Sequence, residues 1–186
     1  MSAELLLLLG ALAVGIVLMY NSLIAKKNEI ENALGGVHTY LKKRADLIPN
    51  LVATIQQFTQ HESKLLTELT AARTASAKAN SDSITEVDSM MSKAFAHVTA
   101  VAENYPELKS SQNFLGLQAS LNEIEGQLSA ARRTYNAAVV RYNTAIESIP
   151  TVIIASALGY QRKPVFQVTA QEAQTPNIAN LFGKAG

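Results

Sequence analysis

The sequence predicts an all-α protein: an N-terminal transmembrane helix, an up-and-down bundle of long helices in about four segments with coiled-coil-like seams, and an extended C-terminal tail. Three observations carry this. An uncharged apolar run occupies residues 5–25. Apolar residues then recur every three or four positions over most of the chain, the spacing of helices packed along one another. Gly and Pro, nine and five of 186 residues, are too sparse for an architecture of strands and turns.

Composition narrows the function classes. An apolar content of 48% suffices for a packed core, and a net charge of +1 gives no electrostatic footprint for nucleic acid. The absence of Cys removes disulfides, thiolate metal sites and cysteine nucleophiles together.

The first element is the anchor, residues 1–25. Its run opens with LLLLLGALAVGIVLMY and ends with NSLIA. At 1.5 Å per residue it spans roughly the 30 Å of a hydrocarbon core. A cleaved signal peptide needs a basic n-region and a small-residue cleavage site. Here Ser2, Ala3 and Glu4 precede the run and Tyr20, Asn21 and Ser22 close it. An uncleaved anchor is therefore expected. Lys26 and Lys27 follow the span and no Lys or Arg precedes it. The positive-inside bias then puts the N-terminus outside and the helical body in the cytoplasm.

The body, residues 26–150, carries two apolar series. The first is Ile30, Leu34, Val37, Leu41, Ile48, Leu51, Ile55, Phe58, Leu65 and Leu69; the second is Phe114, Leu121, Leu128, Tyr135, Val139, Tyr142, Ile146 and Ile149. Both fit a seven-residue repeat with a narrow seam. A shorter amphipathic segment between them holds Val87, Met91, Ala94, Val98 and Val101. Pro49 favours a break or sharp kink near Leu47 and Ile48, because an interior proline costs about 3 kcal/mol. The polar run KANSDS at residues 78–83 offers a serine or Asp82 as cap for the next helix. Pro106 suits the first turn of a new helix, with Tyr105 before it biased out of the helical region. The last long helix should end at Ile149–Pro150.

The tail, residues 151–186, begins with the apolar TVIIASALGY, a candidate docking helix. From Gln161 onward Pro164, Phe166, Pro176 and Phe182 read as an extended strap.

The motifs YNSLIAKKNEIENA, LKKRADLIPNLV, ENYPELK, NFLGLQ and AARRTYNAAVVRYNTAIESIP, with HES at residue 61, resemble the LemA family of bacterial membrane proteins. The resemblance covers most of the chain. It implies a bundle behind one membrane helix with the N-terminus outside, and it implies no enzymatic activity and no cofactor. Arg44, Asp46, Pro49 and Asn50 belong to the second of these motifs. One departure is Gly35-Gly36, where the resemblance implies a bulkier residue, often Trp; this lowers the stiffness expected of the membrane-proximal helix.

No catalytic, cofactor or metal residue is assigned. His61-Glu62 is half of a zinc protease motif, but Leu65 stands where the second His belongs. His38 and His97 lack acidic or Cys partners at ligand spacing, and no serine sits in a nucleophile elbow. The basic run Lys42, Lys43 and Arg44 is short for a lipid-binding patch and reads as a solvated face. More informative are polar residues in the seams: Arg44 and Glu62 in the first series, and Gln118, Glu125 and Arg132 in the last. Buried charges are costly unless paired, so a polar ladder fixing helix register is the expected role, with Glu125 and Glu62 as candidate partners for the arginines. A ligand or proton site is the alternative.

These readings converge on a membrane-anchored interaction or scaffold protein of the bacterial envelope that assembles with copies of itself. The apolar tail supplies candidate assembly contacts: Val152, Ile153, Ile154, Leu158, Tyr160 and Phe166. An adaptor or sensor binding a signalling partner or small ligand is the competing reading, and an unidentified protein partner fits both.

Overall fold

The computed structural model describes residues 3–59, 62–80 and 82–166. Among the described residues there are helices and no strands. They are α1 (Ala3–Asp46), α2 (Ile48–Phe58), α3 (Ser63–Ala77), α4 (Ile84–Asn104), α5 (Pro106–Ser110), α6 (Gln112–Glu147) and α7 (Thr151–Ala157).

Helix α1 runs unbroken from the apolar stretch into the bundle, about 66 Å at 1.5 Å per residue. Its first five turns are uncovered by the other described residues: Leu7, Leu12, Val14 and Leu18 stand exposed, and the most apolar window is 0% buried. By length and composition this stretch can cross a membrane. Burial begins at Leu23 and repeats every seven residues through Ile30, Val37 and Arg44. Gly35 and Gly36 sit inside the helix without interrupting it, and a side chain at either would meet open space.

The break at Pro49 takes the form the sequence suggested. Leu47 N–H reaches back only to the Arg44 carbonyl at 3.3 Å, and Pro49 lies in the first turn of α2, where its missing N–H costs nothing. Tyr105 is extended (φ −125°, ψ 84°) ahead of Pro106, as a pre-proline residue prefers. The turn before α4 differs from expectation. Ser83 stands at the cap position but its side chain makes no bond to the helix, and Asp82 does not cap it either. The side chain of Asn80 organises the turn instead, accepting from the backbone N–H of Asp82 and Ser83 at 3.1 and 2.9 Å.

Two breaks go beyond the expected four segments. Thr59 is extended (φ −133°, ψ 130°) and ends α2. Ser111 ends α5 and caps α6, accepting the Phe114 N–H at 3.3 Å.

Helix α6 packs antiparallel along α1, and α3 pairs with α4 to cover the distal half. The seam of α6 holds Phe114, Leu128, Tyr135 and Tyr142, with Val139 and Ile146 beside them. Helix α7 folds back onto α1 and α6 and buries Ala155. Gly159, at φ 68°, then turns the chain into the strap.

Candidate functional site

Arg44 lies in the last turn of α1 at the seam position that follows Val37, where a seven-residue repeat would otherwise place an apolar side chain. It is 6% exposed. Its guanidinium faces carboxylates from two other helices: Nη1 is 3.0 Å from Glu125 on α6 and 3.8 Å from Asp88 on α4. Arg132, two turns further along α6, reaches both of the same groups: Nη2 donates to Asp88 at 2.5 Å and Nη1 to Glu125 at 3.2 Å. The result is an alternating Arg–Asp–Arg–Glu cluster joining α1, α4 and α6. Asp88 is its most enclosed carboxylate, its side chain 11% exposed, while that of Glu125 is 37% exposed.

Among the described residues the cluster sets two arginines against two carboxylates, and that pairing is what offsets the cost of burying them. Burial lowers the Arg44 pKa, Glu125 and Asp88 oppose this, and Arg132 adds to it by like-charge repulsion. Phe95 lies against Arg44, its ring centroid 4.8 Å from the guanidinium carbon. Ser92 accepts a hydrogen bond from Nη1 at 3.2 Å. Beside the cluster opens a cleft of about 400 Å³, with Phe114, Gln118 and Asn122 on its wall.

Arg44, Glu125 and Arg132 thus converge, and Gln118 lines the adjoining cleft. Glu62 does not join them: it sits ahead of α3 and accepts the Tyr105 hydroxyl at 3.0 Å. Asp46 is exposed and pairs with Lys42 at 2.8 Å. Pro49 and Asn50 are exposed in the first turn of α2. His97 pairs with Glu68 at 2.7 Å, tying α4 to α3. His61 lies outside the described residues. Among the described residues no group of three or more His, Cys, Asp and Glu could hold a metal ion.

A second constellation went unseen in the sequence. Tyr135-Asn136 and Tyr142-Asn143 repeat seven residues apart on α6, so both pairs present one face. Each asparagine clasps the strap as a neighbouring β-strand would. Asn143 donates to the Lys163 carbonyl and accepts its N–H, both at 2.9 Å. Asn136 does the same with Phe166, at 2.9 and 2.8 Å. The Tyr142 and Tyr135 hydroxyls donate to the carbonyls of Gln161 and Pro164. Phe166 is buried against Tyr135, ring centroids 5.1 Å apart, and Tyr160 packs edge-on to Tyr142. Of the candidate assembly contacts, Phe166 and Tyr160 are therefore engaged within the chain. Val152 and Ile154 are half-buried, and Ile153 and Leu158 stay exposed.

Residues 33–179 match the model of the LemA family. Protein LemA of Metamycoplasma hominis is 24% identical over 163 residues, which is 87% of this chain and 74% of that protein. Magnetosome protein MamQ 2 of Paramagnetospirillum magneticum is 32% identical over 80 residues, covering 43% of this chain. Magnetosome protein MamQ of Magnetospirillum gryphiswaldense is 28% identical over 79 residues. This chain spans only 29% of the length of either magnetosome protein.

Proposed function

The chain belongs to the LemA family, and from that premise we propose that it is a membrane-anchored, non-catalytic scaffold that holds a rigid helical bundle in the cytoplasm and associates with copies of itself. The observation that carries this reading is the continuity of α1. One unbroken helix is uncovered and apolar at one end and supplies the bundle's central seam at the other. A hinge between anchor and domain would let the domain swing; a continuous helix transmits the membrane's position to the bundle.

The charge cluster supports a structural role. Among the described residues it pairs two arginines with two carboxylates across three helices, an arrangement that fixes register. Association between copies is supported by the anchor, which is uncovered by any of the described residues. Ala11 and Gly15 stand one turn apart on it, a spacing that lets two helices in lipid approach closely. The adaptor or sensor reading rests on the cleft beside Arg44, where the buried Arg44 Nε meets no acceptor among the described residues.

The cytoplasmic placement rests on Lys26 and Lys27 at the end of the span. The absence of cysteine makes it directly testable. In an Ala100→Cys variant, whose position is exposed on α4, a membrane-impermeant maleimide should leave intact cells unlabelled and label permeabilised ones. Labelling in intact cells would place the bundle on the other side.

A further inference from the structure

The exposed corner between α6 and α7 lies at the height where α1 would leave the membrane. Two ion pairs fix the register of the antiparallel helices: Arg44 with Glu125, and Glu29 with Arg141. Counting six residues from Glu29 toward the N-terminus, and six from Arg141 toward the C-terminus, moves about 9 Å along each helix. That sets Glu147, the last residue of α6, level with Leu23, the first buried residue of α1. The chain turns just beyond, beside the end of the apolar stretch. At this turn Ile149 is 87% exposed and Ile153, in the first turn of α7, 70% exposed. The other side of α7 is spoken for, since Ala155 is buried and α7 packs on α1 and α6. The two isoleucines therefore point away from the bundle at its membrane-facing end.

The charges around them are mainly positive. Lys26 and Lys27 lie within one turn of Leu23 on α1. The Asn143 clasp holds Lys163 about one turn above the end of α6, and Arg162 reaches Glu147 at 2.8 Å. With Arg141 this gives five cations, set against the carboxylates of Glu29, Glu31 and Glu147.

We propose that the bundle rests on the bilayer at a second point: Ile149 and Ile153 insert into the lipid interface beside the anchor, and the surrounding lysines, Lys26, Lys27 and Lys163, meet anionic headgroups. The occupant of this apolar corner is the lipid surface. An amphipathic element with apolar tips and a basic surround is suited to that boundary. The inference rests on α1 crossing the membrane as proposed above. Its consequence is orientational: one helix fixes the bundle's height, and two contacts also fix its tilt and rotation.

The test uses the full-length protein in vesicles of phosphatidylcholine and phosphatidylglycerol, with an environment-sensitive fluorophore on a single introduced cysteine. Ile153→Cys reports on the corner, Val14→Cys on the anchor and Ala100→Cys on the distal bundle. Brominated acyl chains should quench the labels at 153 and 14 and spare the one at 100. Aqueous iodide should do the reverse. Iodide quenching at 153, with the Val14 label still quenched by lipid, overturns the second contact while the anchor stands. Shielding from both quenchers with energy transfer between copies also overturns it, since a second copy would cover the corner. A Val14 label outside lipid refutes the anchoring and this inference together.

Discussion

Asp88→Ala is expected to destabilise the bundle by about 3–5 kcal/mol, the range for removing one partner from a buried ion pair. Asp88 is the enclosed carboxylate of the cluster, approached by Arg132 at 2.5 Å and Arg44 at 3.8 Å. Without it two guanidinium groups face each other with one carboxylate between them, and that carboxylate, Glu125, is partly open to water. Glu125→Ala should cost less, because its exposed position screens what it contributes. Thermal unfolding of full-length protein in detergent reads both variants. An Asp88→Ala protein as stable as the parent, or a larger loss for Glu125→Ala, would contradict the geometry of the cluster.

Phe166→Ala should have an effect of similar size, about 3–5 kcal/mol, as aromatic truncations in cores do. Phe166 is 6% exposed and packs edge-on against Tyr135. Its backbone is also held at both ends by Asn136. Loss of the ring should therefore loosen the clasp and lower the midpoint by on the order of 10 °C for a chain of this size. Faster amide exchange at Lys163 and Phe166 would accompany it. Unchanged stability would mean that the strap is held by its backbone bonds alone. By the same physics the strap is part of the core, and a version ending at Pro150 would lose Ala155, Tyr160 and Phe166 along with any assembly contact.

The anchor and the breaks at Leu47, Lys78 and Tyr105 were legible because they carry strong local signals: an uncharged run, two prolines and a polar stretch. The break at Thr59 carries none, and that at Ser111 only a capping serine, which in a serine-rich chain does not stand out. Both follow from how the distal helices fold back on one another. Arg44, Glu125 and Arg132 could be placed in the seams because a charge in an apolar repeat stands out. Asp88 could not: it adjoins Val87 in a short segment where an acid beside an apolar position reads as solvated face. The same reasoning concealed Asn136 and Asn143. Each follows a seam tyrosine and looks like the wet edge of α6, until the strap returns to cover it. The division at residue 25 was a boundary in hydropathy, while the backbone of α1 passes through it without change.

Scaffolding is tested most directly by the mass of the particle. Full-length protein extracted from membranes into polymer-bounded lipid discs should carry several copies of the 20.0 kDa chain. Gly15→Ile, which widens the closest approach of two anchors without touching the bundle, should shift the particles toward single copies. A mass of one chain per particle at every concentration, in parent and variant alike, would contradict a self-associating scaffold.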